Sequence, residues 1–131
     1  MNYKGYKELE CYIQARLLRM YISELAKKFP QYEKFLLTAQ IIDSSRSITR
    51  NIAEGYGRYT YTDTRNFFII PRGSVTETME HLSTAKDEKY ITEEELKTRE
   101  QKCELVFKLV NGYVSNLDKS KTRKPSTQPN S

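Results

Sequence analysis

Apolar residues return at steps of three and four along four stretches of the chain, the spacing of one helix face. In the first, Leu9, Ile13, Leu17, Met20 or Tyr21, and Leu25 make a stripe that stops near Phe29-Pro30. Pro30 supplies the stop, because the residue before a proline is pushed out of the α region. The second stretch runs from about Glu33 to Tyr56, with Leu37, Ile41, Ser44 or Ser45, Ile48, Ile52 and Gly55 or Tyr56 on one face. The third spans about Asp63 to Lys89 through Phe67, Ile70, Ser74, Thr78, Leu82 and Ala85. The fourth is the cleanest, with Leu96, Cys103, Val106 or Phe107, Val110, Tyr113 or Val114, and Leu117. Thr92 and Glu95 at its start have the spacing of a capping box.

Short connections make sequential helices antiparallel neighbours, so the pattern predicts an all-α, up-down-up-down four-helix bundle over residues 1–118. A looser three-helix domain with one segment docked outside is the alternative. Residues 119–131, "KSKTRKPSTQPNS", hold no apolar side chain and predict a disordered basic tail. Pro71 interrupts the third helical pattern, removing a donor and crowding the Phe67 carbonyl, so a kink or break is expected there. Gly73 loosens the same turn.

Composition agrees with a helical body: five Gly, four Pro and 30% charged residues in 131. No apolar run approaches bilayer-spanning length, and the N-terminus lacks the apolar core of a signal peptide. Cys11 and Cys103 stand apart without metal-binding spacing, which predicts a reduced, cytoplasmic protein without a metal site. The net charge of +5 is unevenly spread. Residues 1–34 carry seven Lys/Arg against four Asp/Glu, and residues 119–131 carry four cations with no acid. Residues 59–118 are slightly acidic, so the basic excess sits at the first helix and in the tail, a distribution compatible with a polyanionic partner.

The stretch "SITRNIAEGYGRYT", Ser47 to Thr60, invites a phosphate-loop reading through Gly55-Tyr56-Gly57. Its polarity is wrong. Phosphates bind where helix amides are free, at the start, whereas these glycines close a helix and present carbonyls. Gly57 is instead expected as a left-handed cap with Arg58 at the negative end of the helix dipole. His81 is the only histidine; Ser74 lies about two turns away and outside any nucleophile motif, so no catalytic residue is assigned. Glu93-Glu94-Glu95 is favourable charge for a helix start rather than a metal site. No cofactor motif is present. What remains is a polar set, Arg46, Arg50, Asn51 and Glu54 on the second helix and Arg72, Ser74 and Glu77 on the third. Arg50 can pair with Glu54 one turn on, Arg72 with Glu54 across helices, and Glu77 with Arg46. Either these residues form a solvated face of ordinary pairs, or they form a partly buried network or subunit contact.

The same residues carry a resemblance. "YKELECYIQA" (6–15), "SITRNIAEGYGR" (47–58) and "IIPRGSVTE" (69–77) resemble the family of proteins encoded in 23S rRNA intervening sequences, which includes the accessory variability (Avd) proteins of diversity-generating retroelements. The likeness covers roughly residues 3–118. It implies an antiparallel four-helix bundle assembled as a ring-shaped homopentamer, and no enzyme. For the retroelement branch it implies a basic surface that binds nucleic acid and the element's reverse transcriptase. Arg46, Asn51, Glu54, Arg72, Ser74 and Glu77 match its signature positions, whereas Pro71 departs from the small helix former expected before Arg-Gly-Ser.

The reading that joins these features is a non-catalytic oligomeric scaffold for RNA or DNA, in which ring assembly multiplies a modest basic patch. Candidate phosphate contacts are Lys4, Lys7, Arg16, Arg19, Lys27 and Lys28, with Lys119, Lys121, Arg123 and Lys124 in the tail. Tyr3, Tyr6 and Tyr12 are candidates to stack on bases. The alternatives are a protein-interaction adaptor, such as one that holds a reverse transcriptase without touching nucleic acid, and a small-ligand bundle. No membrane partner is implied.

Overall fold

In the computed structural model, which describes residues 5–123, four α-helices follow a single-turn 3-10 helix at Tyr6–Glu8. They are α1 (Glu10–Ala26), α2 (Leu37–Tyr56), α3 (Tyr61–Asp87) and α4 (Glu93–Arg123), with a second 3-10 turn, Gln31–Glu33, before α2. Helix α1 packs on α2 and α4, and α3 packs on the same two, while the α1 and α3 backbones stay apart. The helices therefore form a closed four-membered bundle, and the α1–α2 and α3–α4 seams lie on opposite sides.

Helix α2 shows the face its sequence predicts. Leu37, Ile41, Ser44, Ser45, Ile48, Ile52 and Gly55 are buried, and Thr49 joins them. It starts at Leu37 rather than Glu33, because Glu33 closes the 3-10 turn and accepts from the Leu37 amide at 3.2 Å. In α1 the phase differs from expectation. The buried face is Cys11, Ala15, Leu18, Ile22 and Leu25, while Ile13, Met20 and Tyr21 are exposed and Leu17 is half-buried. Apolar residues stand on two sides of this helix, and the small Cys11 and Ala15 sit on the inward one. The first turns of α3 shift likewise: Phe68 and Pro71 are buried, and Ile70 is exposed.

The expected break at Pro71 is absent, for α3 is helical from Tyr61 to Asp87 with the ring buried. Thr60 caps its start, its hydroxyl accepting from the Asp63 amide at 3.1 Å. The left-handed cap expected at Gly57 is also corrected. Gly57 has φ −85°, and the positive φ belongs to Lys89 at 67°. At the end of α3 the Tyr90 amide reaches the Ala85 carbonyl (2.9 Å) and the Lys89 amide that of Lys86 (3.0 Å), bonds that satisfy terminal carbonyls around a left-handed residue.

The capping box at α4 forms in both directions, Thr92 N–H to Glu95 Oε1 at 2.9 Å and Glu95 N–H to Thr92 Oγ1 at 3.1 Å. Cys103, Val106, Val110 and Val114 are its buried stripe. The helix runs beyond the expected boundary at Asp118 as far as Arg123, so residues 119–123 are helical rather than a disordered tail, and residues 124–131 lie outside the described ones. Near the end of α2 the buried Phe68 stacks on the partly buried Tyr113, ring centroids 4.1 Å apart. At one end Tyr90 donates to Glu33 Oε2 (2.7 Å) and accepts from Tyr32 (2.8 Å), tying the α1–α2 connection to the α3–α4 connection.

Candidate nucleic-acid interface

The α1–α2 seam gathers cations that the sequence keeps apart. On α2, Arg46, Thr49, Arg50 and Ala53 recur at helical spacing beside the buried stripe, so they border the seam together. On α1, Tyr12, Arg16 and Arg19 do the same, and the 3-10 turn adds Lys7. Arg19, Arg46 and Arg50 line a groove of about 500 Å³ with Tyr6, Tyr12 and Thr49. An adjoining groove of about 380 Å³ shares Tyr12 and Arg19 and adds Lys7 and Arg16. No acidic residue among the described ones lines either groove. Among the described residues none of these five cations takes part in an ion pair. Arg19 Nη1 donates to Thr49 Oγ1 at 3.0 Å, which anchors the guanidinium and leaves its other donors for a ligand.

The other candidate phosphate contacts lie elsewhere. Lys27 pairs with Glu24 at 2.8 Å, and Lys28 pairs with Glu95 at the start of α4, which holds the Glu95 carboxyl below its usual range. Lys119 borders a groove between α3 and α4, and Lys121 Nζ stands 4.9 Å from the centre of the Tyr61 ring. Arg123 ends α4, while Lys4 and Lys124 lie outside the described residues, as does Tyr3. Tyr12 is buried and meets the Tyr6 ring edge-on at 4.9 Å, so of this pair only the half-buried Tyr6 offers open ring surface.

The polar set on α2 and α3 separates into two kinds. Its neutral members do form a network between helices. Ser47 and Ser74 hydroxyls lie 2.8 Å apart, and Asn51 Nδ2 donates to the Ser47 carbonyl at 2.8 Å and hydroxyl at 3.0 Å. Deeper in the same interface Ser44 and Thr78 hydroxyls pair at 2.8 Å. The charged members do not make the pairs expected of them. Glu54 pairs with Arg58, whose guanidinium lies 4.5 Å from the centre of the Phe67 ring, rather than with Arg50 or Arg72. Glu77 meets His81 at 3.4 Å rather than Arg46. Arg72 turns toward α4, 5.9 Å from the centre of the Phe107 ring, while Arg46 and Arg50 turn toward α1. Arg46 and Arg50 are committed to the α1 side and Arg72 to the α4 side, so Glu54 and Glu77 take partners one turn on along their own helices.

Two features have no signal in the sequence: the closeness of Gly55 to α3 and a cluster at the far end of α3 and α4. There Arg65 grips Asp118 with two bonds, Nε–Oδ1 at 2.8 Å and Nη2–Oδ2 at 3.3 Å, and Tyr61 donates to the same carboxylate. Arg65 first, then Tyr61, holds Asp118 below the usual carboxylate range, and the bond to Asp118 pushes Tyr61 up. Burial raises the Cys11 thiol to about 11 and that of Cys103 to about 12, which keeps both as inert thiols. Ser74 pairs with Ser47, and His81 with Glu77. Among the described residues no cluster of His, Cys, Asp and Glu can hold a metal ion, and no helix is long and apolar enough to cross a membrane.

Residues 7–112 match the family model of the 23S rRNA-intervening sequence protein. The chain belongs to that family. The matched span takes in the first three helices and most of α4, and with them nearly every residue of the α1–α2 seam. The fold is also that of a solved protein of unknown function from the S23 ribosomal protein family of Bacteroides thetaiotaomicron. The TM-score is 0.74 at 24% identity, over 80% of this chain and 95% of that one. No curated protein matches the chain in sequence.

Proposed function

We propose that the protein is a non-catalytic scaffold that binds nucleic acid along the α1–α2 seam. The observation that carries this reading is the seam itself: Lys7, Arg16, Arg19, Arg46 and Arg50 share adjoining grooves with no carboxylate among the lining residues. Arginines left without acidic partners suit a ligand that brings its own negative charge, and phosphates suit the planar guanidinium fork. In the full assembly the helices run up-down-up-down as an antiparallel bundle. The ties between loops at Tyr32–Tyr90 and between helix ends at Arg65–Asp118 support that course. The subunits assemble as a homopentameric ring, so five seams act together in the cytoplasm, with RNA or DNA as partner and, in the retroelement branch of the family, a reverse transcriptase. The test is binding of a labelled single-stranded RNA and of duplex DNA across a salt series. Affinity should fall steeply with salt. Arg46→Gln with Arg50→Gln should weaken binding and flatten the slope by about one for each phosphate no longer neutralised. Salt-insensitive binding, or binding unchanged in that double variant, sinks the reading. Native mass spectrometry tests the pentamer.

A second reading, a protein-interaction adaptor, is favoured by the exposed apolar tip of Tyr32, Phe35 and Leu36, where Phe35 is 83% exposed. It requires a complex with a partner protein that survives nuclease treatment and is abolished in Phe35→Ser.

A further inference from the structure

On the side of the bundle away from the α1–α2 seam, α3 and α4 border an open groove of about 470 Å³. Arg65 and Arg72, two turns apart on α3, face Asn111, Ser115, Asp118 and Lys119, which follow helical spacing on α4. Three cations thus meet one carboxylate, and that carboxylate is already gripped by Arg65 through two bonds. Arg72 is half-buried, lies near the Phe107 ring and takes part in no ion pair among the described residues. The groove therefore offers one guanidinium fork without a carboxylate partner, an amide, a hydroxyl and an ammonium, all hydrogen-bond donors that converge on one space.

We propose that this groove is a phosphate-binding site, with Arg72 as its central contact and Asn111, Ser115 and Lys119 as the α4 wall. A carboxylate has two oxygens in a plane and is matched by a single guanidinium fork. A phosphate presents three or four oxygens in a tetrahedron and can use donors from both helices at once. Asp118 acts as a positioning residue, since its grip on Arg65 fixes one wall of the groove and keeps its own charge engaged. The site does not depend on nucleic-acid binding at the opposite seam, because the two seams share no lining residue.

The full-length protein labelled with nitrogen-15 would be titrated with inorganic phosphate, with adenosine monophosphate, with adenosine, and with a short single-stranded RNA, following the Nε–H signal of Arg72. A saturable shift with phosphate and the monophosphate but not adenosine assigns the site to free phosphate groups. A shift with the RNA alone assigns it to backbone phosphates. Arg72→Gln, read from the Arg65 Nε–H signal, and Lys119→Gln should each weaken binding about tenfold, as expected for one charge-assisted bond fewer. The exposed Lys119 keeps the test valid if Arg72→Gln unfolds the protein. Arg46→Gln with Arg50→Gln should leave the Arg72 response intact, which separates this site from the α1–α2 seam. An Arg72 signal that moves with none of the phosphate-bearing probes, or that moves equally in Lys119→Gln protein, overturns the proposal.

Discussion

Gly55 sits against Phe68 so closely that a Cβ on the glycine would lie 2.7 Å from Phe68 Cδ2 and 2.9 Å from the Phe67 Cβ. Helices α2 and α3 meet here backbone to ring, and only a residue without a side chain permits it. Phe68 is buried and stacked on Tyr113, so it cannot move aside at low cost. Gly55→Ala should therefore destabilise the fold by about 1–3 kcal/mol. Gly73, exposed in mid-helix with nothing near a Cβ, is the contrast. Gly73→Ala should stabilise by about 0.5–1 kcal/mol through helix propensity. Urea unfolding of the two variants checks both signs at once.

Between the same helices the Thr78 hydroxyl donates to the Ser74 carbonyl at 2.8 Å and so accepts from Ser44, also at 2.8 Å. Both side chains are buried. Thr78→Val leaves the Ser44 hydroxyl with only a longer bond, 3.3 Å to the Ile41 carbonyl, and should cost about 1–3 kcal/mol. Adding Ser44→Ala removes the stranded group and should restore part of the stability, which a double-mutant cycle measures. A strictly additive pair would show that the two hydroxyls are not coupled.

Lys89 holds φ 67° at the end of α3, where a Cβ is a burden and glycine is at ease. Lys89→Gly is expected to raise stability by about 0.5–1 kcal/mol. The reverse expectation attaches to Gly57, whose φ of −85° any residue can adopt, so Gly57→Ala should not destabilise the protein. Calorimetric melts of both variants decide whether the left-handed position is correctly placed.

Asp118 stays ionised in the folded state to a lower pH than in the unfolded chain, because Arg65 and Tyr61 hold it. The unfolded state thus binds more protons as pH falls through the ordinary aspartate range near about 4, and stability drops there. This contribution is complete above about pH 5 and disappears as pH falls through the lowered folded value. Asp118→Asn should lower Tm at neutral pH and flatten the fall in Tm below about pH 5. The effect is modest because the pair is open to solvent. Thermal melts across that pH range provide the check; an unchanged acid slope would detach Asp118 from acid stability.

Much of the fold is legible in the sequence because one helix face repeats with a fixed period. On α2 the inward positions follow from spacing, and at Thr92 the capping box follows from two side chains three residues apart. Periodicity says less about phase when apolar residues occupy two sides of a helix. On α1 the residues Cys11, Ala15, Leu18, Ile22 and Leu25 satisfy the same three- and four-residue spacing as the stripe through Ile13 and Met20, and packing against α2 and α4 buries the former set. Gly57 looks special from its place at a helix end, yet the glycine with no room for a Cβ is Gly55, which only the approach of Phe68 reveals.

The candidate site divides the same way. That Lys7, Arg16 and Arg19 lie along the first helical segment, and that Arg46 and Arg50 share a face of the second, is local and readable from spacing. That those two faces meet around grooves with no acid among their lining residues, while Arg72 turns to the other side and Glu54 and Glu77 pair one turn away, was decided by which helices are neighbours. Helical content, most inward faces and caps depend on residues within a few positions of one another, so the sequence by itself determined them. Seams, side-chain partners and the close approach at Gly55 depend on distances between helices, and only the tertiary packing sets those.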